Sequence, residues 1–555
     1  MQRRSARKPE ATEIGSWHAN VVCYQVYLPS FLDTDGDGRG DLAGVRAKLP
    51  YLCELGVSAI WLSPCYPSPM ADGGYDVSDY RGIRPDCGDM ADMAALIEDA
   101  HALGIKVLLD IVPNHTSDRH PWFRATLAAI QAGAPEPGRY IVRAGRADGQ
   151  APPNNWRSLF GGSAWTQIRD DSGTGTGQWY LHMFAPEQPD LNWTDPAVRA
   201  EFEDVLVFWF DRGIDGFRID VAHGLFKDPM LPDVDPESAA AGMLEATEDS
   251  PYWGRPEVFD LWASWRRVAD RYPDRLLIGE AWAPNVTALS AYIHDRRLHQ
   301  VFNFDGFLHR FTAEQWPDTA GLRRAVDDWL AATAKENATA TWVLENHDVP
   351  RLVTRLGGGS LGKRRAETAA LLLLALPGAV YLYQGQELGL PEVELPDEVR
   401  ADPIFLRARA RGQRKEGRDG CRVPIGWAGS APPYGFGPEG STPWLPQPAY
   451  WADYTVERQA QQPNSTLRCY LAALRHRKNL RGELHWVPDR DGLLMFARDN
   501  GFRCVLNVSA HSVVSAIAPT DYTVLVASGP VGTTGPTFEL PPDTAVWLRR
   551  NHIAG

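Results

Sequence analysis

Three acidic residues stand at the C-terminal ends of short apolar runs that are typical of β-strands. Asp220 ends the run 216–220, Glu280 ends 277–280 and Asp348 ends 342–348. Carboxylates are unusual there, because β-strands are poor in Asp and Glu. Several of them at strand ends predict one cluster at the mouth of a (β/α)₈ barrel. Paired carboxyls of this kind hydrolyse glycosides, whereas one alone could form a salt bridge at the base of a loop.

The elements that must position these carboxylates are eight candidate strands that alternate with helical patterns. Continuous apolar strands between amphipathic helices indicate a parallel sheet with both faces covered. Eight such units favour a closed TIM barrel over an open doubly wound sheet, and we therefore predict an α/β fold of the (β/α)₈ type. The candidate strands are Val21–Leu28, Ala59–Pro64, Lys106–Val112, Gly216–Asp220, Leu276–Ala281, Val301–Asp305, Thr341–Asn346 and Ala379–Gln384.

The spacing of the strands predicts where the barrel is interrupted. The third and fourth strands are much further apart than an ordinary βα loop allows, and the intervening stretch, rich in Gly, Pro, Asn and Trp, predicts an inserted lobe that overhangs the mouth. After residue 480 the pattern changes to short alternating runs, which predict an antiparallel β domain. The predicted units are a disordered tail at 1–16, a barrel at 17–115 and 188–480 with a loop-rich insertion at about 387–454, a lobe at 116–187 and a C-terminal β domain at 481–555.

Composition excludes several classes of protein. The net charge is −14 and no basic stripe is present, so nucleic acid is not an expected partner. The longest apolar stretch, 369–383, is broken by Pro377 and Gly378. A membrane span needs about 20 residues, so a membrane is not an expected partner either. The seven cysteines are scattered, odd in number and without metal-binding spacing, which predicts reduced thiols and a cytoplasmic location.

Several segments resemble one known family. Residues 110–115 (DIVPNH), 216–220 (GFRID), 279–282 (GEAW) and 345–348 (ENHD), in this order, resemble the signatures of the α-amylase superfamily, family 13 of the glycoside hydrolases. Residues 188–192 (QPDLN) resemble the form of the family's fifth signature in the oligo-1,6-glucosidase and α-glucosidase branch. The resemblance extends from about Trp17 to the C-terminus and implies a retaining glycosidase of the (β/α)₈ type.

The resemblance implies a role for each residue of the cluster. Asp220 matches the nucleophile and Glu280 the general acid/base, whose pKa must be held up so that it starts protonated. Asp348 matches the carboxylate that holds the 2- and 3-hydroxyls of the sugar. Arg218, two residues before Asp220 on the same strand face, is expected to keep Asp220 ionised. His115 and His347 match histidines that hydrogen-bond the same ring.

A second set of residues is expected to close one end of the pocket. Asp72 and Tyr75, in the segment 72–76 (DGGYD), resemble the exo-acting branch, in which the tyrosine stacks under the sugar and the aspartate binds its non-reducing end. Arg422 matches an arginine that pairs with this aspartate, although Gly73 and Val423 stand where the family usually has Asn and Thr. Phe184, late in the inserted lobe, is expected to shape the first subsite or simply to belong to the core.

The loop after the first strand alternates Asp with Gly, which suits a hard cation. It resembles both the start of an EF-hand and the calcium loop of the oligo-1,6-glucosidase branch, and it lacks the bidentate Glu of an EF-hand. The resemblance implies a structural Ca²⁺ away from the acid and the nucleophile; a solvated acidic turn is the alternative. The implied ligands are Asp33, Asp35, Asp37, the carbonyl of Arg39, and Asp41.

We therefore expect an α-glucosidase that releases α-glucose from the non-reducing ends of short α-glucosides, with no organic cofactor. Val221 is a cue for α-1,6 bonds, whereas the longer segment 221–224 (VAHG) resembles actinobacterial-type α-glucosidases and favours α-1,4. The alternatives are an oligo-1,6-glucosidase, a transglucosidase or a trehalose-synthase-like isomerase of the same family. A non-catalytic amino-acid-transporter heavy chain is a distant alternative. The oligomeric state is left open.

Overall fold

The computed structural model describes residues 16–135, 138–235, 250–304, 306–309, 311–316, 319–488, 492–499 and 501–551. The tail predicted at 1–16 lies, except for Ser16, outside the described residues.

Within this part of the chain, eight parallel strands form the central sheet. They are β1 (Val22–Val26), β2 (Ala59–Leu62), β3 (Lys106–Ile111), β7 (Gly216–Ile219), β8 (Leu276–Gly279), β9 (Gln300–Val301), β10 (Thr341–Val343) and β11 (Ala379–Tyr383). Their order in the sheet is β10-β11-β1-β2-β3-β7-β8-β9. The sheet is a TIM barrel, as predicted. Where β10 and β9 meet, the hydroxyl of Thr341 donates to the carbonyl of Val301 at 2.7 Å. Each lies within or beside its predicted segment.

Helices cover the outside of the barrel and begin and end where local chemistry dictates. The first, α1, is capped by Asp41, whose carboxylate accepts from the amide of Gly44, and ends at Gly56, which adopts a left-handed φ of 103°. The helices are α1 (Leu42–Leu55), α2 (Met90–Ala102), α3 (Pro121–Gln131), α4 (Pro196–Phe210), α5 (Glu257–Ala269), α6 (Val286–Ser290), α7 (Thr319–Lys335), α8 (Leu352–Arg355), α9 (Gly359–Ala375), α10 (Pro403–Ala410), α11 (Val456–Gln461) and α12 (Thr466–Arg477).

Two further regions interrupt or follow the barrel. Between β3 and β7 lie α3 and a small antiparallel sheet of β4 (Val142–Ala144), β5 (Trp165–Arg169) and β6 (Gly175–Leu181). Antiparallel sheets also form the C-terminal region, as predicted, and the indole of Trp547 ties them to α9 by donating to the carbonyl of Leu371 at 3.0 Å. Their strands are β12 (His485–Trp486), β13 (Leu494–Arg498), β14 (Phe502–Asn507), β15 (Val513–Val514), β16 (Tyr522–Ala527), β17 (Gly532–Thr534), β18 (Thr537–Leu540) and β19 (Thr544–Arg550).

The helices of the described residues include none that combines the length and the apolar character needed to cross a membrane.

Candidate active site

A cavity of about 340 Å³ lies at the C-terminal ends of the barrel strands. The mouth of a TIM barrel is where side chains from separate strand ends converge. The three carboxylates predicted from the sequence all line this cavity, together with five of the predicted sugar-binding residues. The lining residues are Asp72, Tyr75, His115, Leu159, Phe160, Phe184, Asp220, Val221, Glu280, Trp282, Leu308, His309, Asn346, His347, Asp348, Val349, Ile404 and Arg418. Arg218 and Arg422 are buried behind it.

Arg218 joins three carboxyl groups from three neighbouring strands. Its Nη1 atom lies 2.7 Å from Asp220 Oδ1 and 2.8 Å from Asp110 Oδ1, and its Nη2 atom donates to Glu280. Arg218 and Asp220 are two residues apart, so both side chains point to the same side of the barrel wall. One guanidinium therefore fixes the positions of Asp220 and Glu280 relative to each other.

The charges of this cluster do not balance if every carboxyl is ionised. Burial, with Glu280 and Asp110 beside it, raises the pKa of Asp220 well above its usual value, and Arg218 opposes the shift. Burial likewise raises the pKa of Asp110 to about 6 against the pull of Arg218. Three buried carboxyls around one cation keep at least one proton near neutral pH, because like charges in a low dielectric disfavour one another.

Asp348 lies in the opposite electrostatic environment. Burial works against its ionisation, but the charges of Arg418 and Arg422 outweigh that effect and hold the pKa of Asp348 well below its usual value. Arg418 Nη1 and Arg422 Nη2 each lie 3.0 Å from Asp348 Oδ1. Asp348 is therefore ionised over the whole range in which the protein is expected to work.

The partner predicted for Asp72 is wrong. Arg418 pairs with Asp72, at 2.6 Å between Nη2 and Oδ1, and also binds Asp402 at 2.6 Å. Arg422 instead donates to Asp348 and, at 2.9 Å, to the carbonyl of His347. The two arginines are four residues apart around a 3₁₀ turn at Asp419–Arg422, and the turn directs the first one to the cavity and the second one behind it.

The remaining predicted sugar-binding residues surround the carboxylates. His347 stacks on Tyr75, with ring centroids 5.3 Å apart and 8° between the planes. His115 packs against Phe184 at 5.0 Å between centroids. Burial lowers the pKa of His115 to about 4 and that of His347 well below its usual value, so both imidazoles are neutral at pH 7.

Val221, directly after Asp220, has a strained backbone. Its φ is +45°, in the left-handed region that β-branched residues rarely adopt. The conformation directs its amide N–H to Glu280 Oε2 at 3.3 Å, and the next amide, of Ala222, donates to the carbonyl of Glu280 at 2.7 Å. Strain at such a position is held by the surrounding structure. Here it joins the loop after β7 to the carboxyl of Glu280.

Sequence reasoning missed four polar residues of the site. Asp110 is fully buried and bonds Arg218 and the hydroxyl of Tyr75. It is a carboxylate inside a strand, so the rule that selected Asp220 could have found it. Gln25 bonds a ring nitrogen of His347 at 2.7 Å, and Gln188 donates to Asp72 at 3.2 Å. Arg418 lies four residues before Arg422, to which the sequence analysis gave the pairing with Asp72. Gln188 opens the segment 188–192 but was given no role, and no sequence pattern marks Gln25.

The acidic loop after β1 brings together three of its five predicted cation ligands. Carboxylate oxygens of Asp33, Asp35 and Asp37 lie within 4.8 Å of one another. Converging oxygens from one short loop suit Ca²⁺. Asp41 lies outside this group, and its carboxylate caps α1 by accepting from the amide of Gly44 and also accepts from the amide of Thr34. The carbonyl of Arg39 stays a predicted ligand.

Comparison with known proteins identifies the family. Residues 25–483 match the alpha amylase catalytic domain. An oligo-1,6-glucosidase of Parageobacillus thermoglucosidasius is 36% identical over 494 residues, covering 83% of this chain and 84% of the relative. A probable alpha-glucosidase of Rhizobium meliloti (strain 1021) is 37% identical over 530 residues, covering 90% and 91%. The chain belongs to the α-amylase family of glycoside hydrolases.

The fold agrees over almost the full length of solved relatives. The crystal structure of an alpha-glucosyl transfer enzyme, XgtA, superposes with a TM-score of 0.82 at 34% sequence identity, covering 97% of this chain and all of that chain. Together, these similarities place the chain among the α-glucosidases and oligo-1,6-glucosidases of the family.

Proposed function

We propose that this protein is a retaining, exo-acting α-glucosidase. The observation that carries the proposal is that Asp220 and Glu280 are hydrogen-bonded to the same guanidinium, that of Arg218, in a cavity that also contains the Asp72–Arg418 ion pair. A retaining glycosidase needs a nucleophile and an acid that face one anomeric carbon from about 5–5.5 Å apart. We assign Asp220 as nucleophile, Glu280 as general acid/base and Asp348 as the anchor of two sugar hydroxyls.

The proposed mechanism requires Asp220 to start ionised and Glu280 to start protonated. The guanidinium of Arg218 favours the ionised form of Asp220. Asp220 attacks the anomeric carbon while Glu280 protonates the departing oxygen. When Asp220 becomes an ester it loses its negative charge. Arg218 then stabilises the ionised form of Glu280, which can deprotonate the water that releases α-glucose.

One end of the cavity supports exo action. Asp72, Gln188 and Arg418 form a hydrogen-bonded set there, and His115 lies next to Gln188. Such a set can bind the hydroxyls at the non-reducing end of a single glucosyl unit. A bond inside a longer chain would require sugar on both sides of Asp220. We therefore propose that terminal glucose is removed from short α-glucosides.

Rates on maltose, isomaltose, sucrose and trehalose test the substrate assignment. We propose a preference for α-1,4 over α-1,6 bonds, which is supported by the segment 221–224, so maltose is expected to be cleaved faster than isomaltose. Proton NMR during the first minutes is expected to show α-glucose as the initial product, because two displacements retain configuration. Release of β-glucose would reject the double-displacement assignment.

Transfer to a sugar acceptor is the second candidate, favoured by the similarity to the α-glucosyl transfer enzyme XgtA. The same carboxylates carry both outcomes, since only the group that accepts the glucosyl unit differs. Incubation with maltose distinguishes the two: mostly free glucose supports hydrolysis. Trehalose or longer oligosaccharides with little glucose would reject the hydrolase.

We further propose that Asp33, Asp35 and Asp37 hold a structural Ca²⁺. The donor set is all oxygen, and Gly36 and Gly38 adopt φ of 89° and 90°, which lets the loop fold sharply around the carboxylates. Such an ion would stabilise the loop that leads into α1. A cytoplasmic location also remains our proposal, supported by the seven unpaired cysteines.

A further inference from the structure

We propose that Trp282 forms an aromatic platform for the leaving-group sugar, and so decides which glucosides are cleaved. This inference rests on the proposed function and names the chemistry of its acceptor side. The ligand class is a neutral pyranose ring, which presents a flat C–H face to the indole.

The order of the barrel strands places Trp282 across the mouth from the glucosyl-binding residues. Asp72 follows β2 and Arg418 follows β11, on either side of β1. Trp282 follows β8 and His309 follows β9. In the strand order, β8 is four strands from β1 and β9 is four from β2, so each pair is diametrically opposed in an eight-stranded barrel. A glucosyl unit held by Asp72 therefore directs its anomeric bond towards Trp282.

The position of the acid points to the same side. Glu280 is two residues before Trp282 in the loop after β8, and both line the catalytic cavity. A general acid protonates the oxygen that leaves with the aglycone. The group that departs must therefore lie beside Glu280, within reach of the Trp282 ring.

The indole is held in place by two neighbouring aromatic rings. Its ring packs against Phe304 and His309, each with centroids 4.9 Å apart and planes near 42° and 41°. Among the residues that the structure describes, none accepts a hydrogen bond from the buried Trp282 Nε1 atom. The half-buried side chain therefore offers the leaving-group sugar the flat face of its ring.

Apolar side chains complete the wall around this platform. Leu308 and Val349 line the same cavity. Phe304 and Val349 pack in one cluster with the indole. A mainly apolar wall beside an aromatic ring suits a sugar that binds through its C–H face, whereas the opposite end holds its sugar through Asp72 and Arg418. Beyond the indole lies a second cavity of about 630 Å³, to which Trp282 also contributes.

The test compares a substrate with a ring aglycone against one without. Maltose carries a second glucose, and α-glucosyl fluoride carries only fluoride, while both form the same glycosyl-enzyme. The readout is the ratio of kcat/KM on maltose to kcat/KM on α-glucosyl fluoride, since kcat/KM reports the glycosylation step for both. Trp282→Ala is expected to lower this ratio at least tenfold, and Trp282→Phe by a smaller factor.

Phe184→Leu is the matched control. Phe184 lines the same cavity but packs against His115, on the glucosyl side, so its loss is expected to affect both substrates alike and leave the ratio unchanged. Trp282→Leu, which keeps an apolar side chain of good size, replaces the alanine variant if the latter fails to fold.

The outcomes separate this inference from the proposed function. A ratio within twofold of the wild type in Trp282→Ala or Trp282→Leu overturns the platform, even if the wild-type protein is an active glucosidase. Wild-type protein that cleaves neither substrate rejects the proposed function, and the platform with it. An equal fall of the ratio in Phe184→Leu also counts against the platform, because the effect would then not belong to one side of the cavity.

Discussion

Arg418 holds Asp72 by a 2.6 Å contact between Nη2 and Oδ1. The same guanidinium bonds Asp348 at 3.0 Å and Asp402 at 2.6 Å, so one side chain links the end of the cavity to the carboxylate beside the cleavage point. Asp402 in turn caps α10 by accepting from the amide of Ile404. Because Asp402 is held at the start of α10, it fixes the guanidinium of Arg418. The planar guanidinium then donates from a different nitrogen to each of the three carboxylates.

A double-mutant cycle tests whether Arg418 or Arg422 is the functional partner of Asp72. Asp72→Asn combined with Arg418→Lys is expected to show a coupling free energy of about 1–3 kcal/mol in kcat/KM on α-glucosyl fluoride, because the two side chains are in contact. The matched cycle with Arg422→Lys is expected to show a smaller coupling. Equal coupling in the two cycles would contradict the pairing seen here.

The barrel was predictable because polar residues stand out in apolar strands and because helical and strand periods alternate clearly. The same contrast selected Asp220, Glu280 and Asp348, whose side chains the structure brings to one cavity. The choice between Arg418 and Arg422 was not predictable, since a side chain's direction out of a 3₁₀ turn depends on backbone angles that spacing does not encode.

The acidic loop shows a second limit of sequence reasoning. An aspartate just before a helix can cap the helix or bind a cation, and its sequence context is the same in both cases. Asp41 caps α1, and only the folded backbone distinguishes it from Asp33, Asp35 and Asp37. Gln25 and Gln188 were missed for a related reason: a buried amide becomes functional through the partner it meets in the fold.

Replacing the nucleophile tests the central assignment. Asp220→Asn keeps the shape and a hydrogen-bond acceptor for Arg218 but cannot form the glycosyl ester, so kcat is expected to fall more than about 10³-fold. Maltose binding, measured by calorimetry, and the thermal unfolding midpoint are expected to persist. Turnover close to that of the wild type would refute the role of Asp220.

Removing the proposed Ca²⁺ is expected to change stability before it changes catalysis. An ion present at 100 times its Kd stabilises the folded state by about 2.7 kcal/mol. A chelator should therefore lower the unfolding midpoint while kcat at 25 °C stays unchanged. Asp35→Asn, on an exposed ligand, should make the midpoint insensitive to the chelator. Identical melting curves with and without chelator, and no metal in the purified protein, would show that the loop is a solvated turn that binds no cation.

Buried neutral histidines make the protein sensitive to acid, and His182 allows a clean test. Its ring contacts the carbonyl of Phe184 at 3.0 Å and the hydroxyl of Thr166 at 2.9 Å, and burial lowers its pKa to about 4. The unfolded chain, with a histidine pKa near 6.5, takes up a proton between about pH 6.5 and 4 that the folded chain does not. Stability is therefore present above this window and is lost as the pH falls through it.

His182→Asn removes the imidazole that takes up this proton in the unfolded chain. The wild type is expected to lose about 2 kcal/mol more of its unfolding free energy than the variant when the pH falls from 7 to 5. Urea unfolding at the two pH values measures the difference. The variant is expected to be less stable at pH 7 because the bonds of His182 to Thr166 and Phe184 are lost, so the decisive quantity is the change with pH in each protein. Equal changes in the two proteins would show that His182 protonates in the folded state as readily as in the unfolded chain.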